Sequence, residues 1–136
     1  MNHYSLPDGS YDLQVKGRTF ILTIEGIVDV ELALRYMLDF KLEAEALNEP
    51  YWATLLDLTQ WGLHPPEVFA FLTEFESWAK DNGHLTEAAV VDKSVLKVMV
   101  RNHMVSPYRK LIQQEYFETK DAAIEWLQML QLYPEG

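Results

Sequence analysis

Asp57, Thr59 and His64 fall close together in the stretch "DLTQWGLH". A carboxylate, a hydroxyl and an imidazole after a strand could make a small polar site, because open α/β sheets bind ligands beyond the carboxyl ends of their strands. The plainer alternative is that Asp57 satisfies loop N–H groups and His64 is solvated. No fuller catalytic set accompanies them. His3, His84 and His103 have no second ligand at metal spacing. Ser94 and Ser106 lie near His103, but no Gly-x-Ser-x-Gly elbow surrounds either one. No glycine-rich loop could cradle a phosphate. The acid pairs Glu43/Glu45 and Glu74/Glu76 are two residues apart, so on a helix they point in different directions and share no site. Cysteine is absent, which excludes thiol catalysis, disulfides and zinc–thiolate sites. These residues predict a non-enzymatic protein with no cofactor and no metal.

Two other stretches suit binding. Trp61 and Leu63 are apolar residues in a predicted loop, and Phe69, Phe71 and Trp78 crowd the helix after it. That is more aromatic bulk than one helix stripe can bury. A thick core or a dimer contact would explain it. So would an apolar pocket built from Trp61, Leu63, Phe69 and Phe71, taking an apolar small molecule or lipid. The second stretch runs from Lys93 to Gln114. It holds five cations and no acid, in a chain of net charge −10. On a helical wheel Val95, Val98, Met99 and Val105 form a core side. Lys93, Lys97 and Arg101 form a stripe opposite, flanked by Leu96, Val100 and Met104. Tyr108, Arg109 and Lys110 extend this face. Cations mixed with apolar side chains suit an anionic membrane surface, where each Lys or Arg contributes on the order of 1 kcal/mol. A protein partner, including a second copy of the chain, and pairing with acidic helices of the same chain are the alternatives the residues leave open.

The elements that must position these residues are legible from periodicity. "YDLQVK" and "TFILTIEG" read as strands joined by the Gly-containing turn "KGR", an antiparallel hairpin. Asp29 is a helix N-cap, with Glu31 in the first turn. Val30, Ala33, Met37, Phe40, Ala44 and Leu47 form one stripe of a long helix ending at Asn48-Glu49-Pro50. "YWATLLDL" is a strand buried on both faces, as in a parallel sheet. Pro65 and Pro66 open the next helix, which carries Val68, Leu72, Phe75 and Ala79 inward and stops at "DNG". "LTEAAVV" is a strand. Asp92 or Ser94 caps the basic helix, and Pro107 ends it. "EYFE" is a last strand, and Thr119 caps a final helix burying Ala123, Trp126, Leu127 and Leu130. Alternating strands and helices imply a mainly parallel sheet with right-handed crossovers. The expected fold class is α/β: one domain over residues 1–136, with a mixed, mostly parallel five-stranded sheet and about four helices.

"LLDLTQWG" and the closing "FETKDAAIEWL", with Phe117, Ala123, Trp126 and Leu127, carry a resemblance that covers most of the chain. They resemble the SpoIIAA-like branch of the STAS (sulfate transporter and anti-sigma-factor antagonist) superfamily, in which a strand ending in Asp-Leu precedes a loop and helix. The resemblance implies a STAS-like domain that regulates by binding, and a topology similar to lipid-binding folds of the SEC14 type. One family feature does not carry over. Anti-sigma-factor antagonists have a phosphorylatable Ser at the start of the helix after the Asp-Leu strand, where free N–H groups and the helix dipole attract phosphate. Pro66 stands about there in this chain, and Thr59 sits at the strand end instead.

The composition narrows the partners. The acidic balance argues against general nucleic-acid binding. "MNHYSLPDGSYDL" is not a signal peptide, and no apolar run is long enough to span a bilayer. The leading expectation is a cytoplasmic binding module for an apolar or lipid-like ligand, reversibly peripheral at the membrane through the basic segment. The alternative is a protein-interaction regulatory module resembling an anti-sigma-factor antagonist without the Ser.

Overall fold

The computed structural model describes residues 2–62, 64–101 and 107–135, the side chain of Arg109 excepted. Six strands form one sheet in sequential order: β1 (Asn2–Leu6), β2 (Gly9–Lys16), β3 (Thr19–Gly26), β4 (Trp52–Trp61), β5 (His84–Val90) and β6 (Gln113–Phe117). The first three pair antiparallel and the last four parallel. Four helices connect or follow them: α1 (Val30–Leu47), α2 (Phe69–Asp81), α3 (Lys93–Arg101) and α4 (Lys120–Met129).

The expected hairpin is β2–β3, with Lys16 opposite Thr19 and Gly17 at φ +61 in the turn. The sheet has six strands where periodicity predicts five. The additional strand, β1, pairs along its whole length with β2. Its signal is weak because it is an edge strand with only Tyr4 and Leu6 packed against the core. Helix α1 begins as expected, with Asp29 Oδ1 accepting from the Leu32 N–H at 2.9 Å. It ends at Asn48, whose left-handed backbone lets its N–H reach Ala44 O. Asp92 Oδ1 accepts from both the N–H and the hydroxyl of Ser94 ahead of α3, and these two bonds hold its carboxyl below the usual range. Thr119 caps α4. The described part of α3 ends at Arg101, so the expected stop before Pro107 lies outside the described residues.

Strand alternation sorts the core into two layers. One face of the sheet carries Phe20, Leu22, Ile24, Trp52 and Leu58 toward α1, α2 and α3. The other carries Ile21, Ala53, Leu55, Ala88 and Val90 toward Ala123 and Leu127 of α4. Strands β4 and β5 are thus covered on both faces, which is why they read as nearly continuous apolar runs.

Candidate functional site

Register places four strand residues side by side beneath α2: Phe20, Thr54, Glu87 and Gln114. The next row is Leu22, Leu56, Ala89 and Tyr116. Ala89 is the smallest side chain in these rows, and it lies between two large ones. Above them stand rigid rings that pack edge to face: Phe40 against Phe75 at 5.4 Å between ring centroids, and Tyr36 against Phe75 at 6.4 Å. Large rings over a small residue leave space. The described residues line a partly open cavity of about 300 Å³. Its walls include Leu22, Phe40, Trp52, Leu72, Phe75 and Met99.

The cavity has a polar inner end. Thr54, His84, Glu87, Tyr108 and Gln114 all line it. Glu87 is 2% exposed and His84 4%, so neither depends on bulk water. The Thr54 hydroxyl donates to Glu87 Oε1 at 3.2 Å, and Thr54 Oγ1 lies 3.0 Å from His84 Nε2. A hydroxyl has one proton, so His84 Nε2–H is the donor to Thr54. In that tautomer His84 Nδ1 accepts from the Tyr108 hydroxyl at 2.8 Å. Trp52 stacks on the His84 ring at 4.9 Å. Gln114 Nε2 is buried and has no hydrogen-bond partner among the described residues.

A sheet irregularity puts His84 there. Trp52 pairs with His84, but Ala53 pairs with Thr86, so Leu85 is an extra residue that bulges out and is 53% exposed. A bulge reverses the facing of the residues before it. His84 and Glu87 therefore share one face despite being three residues apart. Gly83 makes the approach: it lies at φ +105, and a Cβ there would stand 2.5 Å from Pro50 O.

A second polar group lines the other end. Trp61 Nε1–H donates to His64 Nδ1 at 3.0 Å, and His64 Nε2 lies 3.3 Å from the Tyr36 hydroxyl. An indole N–H can only donate, so His64 carries its proton on Nε2 and is neutral. Burial pushes its pKa down to about 4. Tyr11, behind this wall, has its phenol pushed up by burial and then by its hydrogen bond to Asp39.

The predicted residues divide between these places. Trp61 and Phe69 line the cavity. Phe71 does not; it faces a shallow groove with Leu34, Leu38 and Lys41 of α1. Leu63 lies outside the described residues. Asp57 and Thr59 bond only one another in this group, at 2.7 Å between Oδ1 and the hydroxyl, while His64 turns inward rather than to solvent. On the basic segment, Lys97, Val100, Arg101 and Lys110 are exposed. Lys93 meets Glu118 at 3.1 Å, with both side chains largely in solvent. Two expectations are corrected here. Leu96 is half-buried and packs against the core with Val95 and Met99 instead of standing free beside the cations. Tyr108 is 8% exposed, drawn in by His84. Met104 and the Arg109 side chain are outside the described residues.

Thr54, His84, Glu87 and Gln114 had no motif to reveal them. The available signal was an acid and a histidine within a strand that must be covered on both faces. Among the described residues, no three or more His, Asp or Glu are placed to hold a metal ion. Nor is any described helix long and apolar enough to cross a membrane.

No protein-family model and no curated protein matches the chain. Solved structures do. An anti-sigma factor antagonist from Mycobacterium paratuberculosis is 14% identical with a TM-score of 0.58, over 92% of this chain and 99% of its own. An uncharacterized protein of the DUF3478 family from Shewanella loihica, described as having a SpoIIAA-like fold, is 13% identical with a TM-score of 0.62, over 91% and 97%. The phosphorylated form of SpoIIAA, a Bacillus cell fate determinant, is 11% identical with a TM-score of 0.51, over 86% and 98%. With this strand order and these neighbours, the chain has a SpoIIAA-like fold.

Proposed function

We propose that residues 1–136 act as one STAS-like, non-enzymatic regulatory domain in the cytoplasm, whose output is contact with another protein and whose input is a small apolar molecule rather than a phosphoryl group. The fold it shares with an anti-sigma factor antagonist and with SpoIIAA supports the first half. The cavity carries the second half: at about 300 Å³, it lies at the small end of the range for ligand sites, roughly 300–1,000 Å³. The phosphoswitch that the resemblance implies is not supported at its usual place, since Pro65 and Pro66 occupy the entry to α2 and no side chain caps that helix. A contact surface is at hand. Leu34, Leu38 and Leu42 of α1 are about half exposed at four-residue steps, and Phe71 lies beside Leu34 and Leu38 in the groove. Exposed apolar stripes of this kind mark interaction faces.

Photo-crosslinking in cells of the source organism, from Leu38 and from Val100, tests the output. One defined protein captured at Leu38 and lost in Leu38→Glu supports the reading. A second copy of the chain assigns the face to self-association. No defined product at either site rejects the protein-contact reading.

A second reading rests on α3. Val100 is 60% exposed between the exposed cations Lys97 and Arg101. That pattern supports reversible attachment to an anionic membrane. Co-sedimentation with anionic vesicles at low salt should then fall in Lys97→Glu/Arg101→Glu. If the wild type stays in the supernatant, the membrane reading is dropped.

A further inference from the structure

The rings around the cavity would accept almost any apolar molecule. Its inner end is more selective. Gln114 Nε2 is a buried donor with no partner among the described residues, on a side chain that lines the cavity. A ligand that displaced water here and left this donor unsatisfied would forfeit roughly 1–3 kcal/mol, so the site favours one that brings an acceptor. Glu87 lies directly opposite Gln114 in the parallel register, is 2% exposed, and accepts from Thr54. A carboxylate or phosphate placed against Gln114 would bury a charge beside this acid: an ionised Glu87 would repel it, and a neutral Glu87 would leave it uncompensated. The acceptor is therefore neutral. A hydroxyl or carbonyl oxygen meets the requirement. The volume of about 300 Å³ is small for a phospholipid with two acyl chains and suits a compact ring system.

We infer that the cavity takes a neutral, mostly apolar ring compound carrying one hydroxyl or carbonyl, with that oxygen bound by Gln114 at the inner end and the rings held among Phe40, Trp52 and Phe75. This rests on the cavity being a ligand site, as proposed above, and specifies what it selects. Ala89 supplies the space and Gln114 the selection.

Naphthol, naphthalene and naphthoate share a ring system and differ only in the polar group. Their dissociation constants would be measured by protein-observed NMR titration of the full chain. Naphthol is expected to bind about tenfold tighter than naphthalene and naphthoate, the ratio that one well-made buried hydrogen bond supports. In Gln114→Leu this preference should vanish while naphthalene binding persists. In Ala89→Leu all three should lose binding. Naphthoate binding as tightly as naphthol, or a preference for naphthol that survives Gln114→Leu, overturns the inference. Should naphthalene and naphthol bind the wild type equally, the polar selection fails and the ligand site stands. If no probe shifts the resonances of cavity residues, the ligand site itself fails. The comparison among probes on the wild type does not depend on any variant folding.

Discussion

The two faces of the sheet are filled in opposite ways. Against α4 the core is aliphatic and small: Ile21, Ala53, Leu55, Ala88, Val90, Ala123 and Leu127. Against α1, α2 and α3 it is dominated by rings, with Phe20, Phe40 and Trp52 fully buried and Trp78 at 6.1 Å from Trp52. The face with the larger side chains is the one that holds the cavity. Small branched side chains can interdigitate wherever two surfaces meet. Flat rings have few rotamers and pack edge to face at fixed spacings, so a small neighbour such as Ala89 leaves a gap they cannot close. The α4 face stabilises the fold, and the ring face gives up some stability for an internal space.

The sharpest way to break this contrast is truncation on each side. Leu127→Ala should cost about 3 kcal/mol, as a fully buried Leu in a closed layer. Leu72→Ala should cost only about 1–2 kcal/mol, since Leu72 is half-buried and already borders the cavity. Urea unfolding of both variants checks the difference; equal losses would mean that the two faces are packed alike.

Acid should act mainly on the ring face. His64 takes a proton at its ordinary pKa of 6.5 in the unfolded chain and only near about 4 when folded. Between those values the unfolded state binds more protons, so stability is full above the upper one and falls as pH drops toward the lower one. The loss should reach about 2–3 kcal/mol, allowing for the remaining solvent contact of this half-buried ring. Unfolding curves across this range should show the slope in the wild type and its flattening in His64→Gln.

Filling the two faces gives an unequal pair of effects. Ala88 and Ala89 are neighbours pointing to opposite sides of β5. Ala88→Leu should cost about 1–3 kcal/mol by overpacking against α4. Ala89→Leu should change stability by less than about 1 kcal/mol, because its methyl groups enter existing space. Thermal unfolding distinguishes them. The smallest effect belongs to the surface. Lys93→Ala, which removes an exposed ion pair with Glu118, should shift stability by less than about 0.5 kcal/mol.

Much of this architecture was legible in the chain itself. The stripe from Val30 to Leu47, the caps at Asp29 and Thr119, and the doubly apolar run of β4 each follow from side-chain periodicity and local hydrogen bonding. An aromatic surplus around Trp61 and Phe69 also pointed to the region where the cavity lies. It did not separate Phe71, because whether a ring on α2 faces inward or toward α1 depends on how the two helices are set against each other. The basic helix shows the same limit. A wheel locates a buried side to within about one residue position, and here the core takes Leu96.

Local pattern and chemistry by themselves determined five of the six strands, the four helices, the fold class and the absence of thiol chemistry, since these depend on neighbours along the chain. The polar inner end was decided only in three dimensions. Thr54, Glu87 and Gln114 come from three strands and meet through register. His84 joins them because one bulged residue, Leu85, reverses its facing, and strict alternation would have sent it to the other side of the sheet.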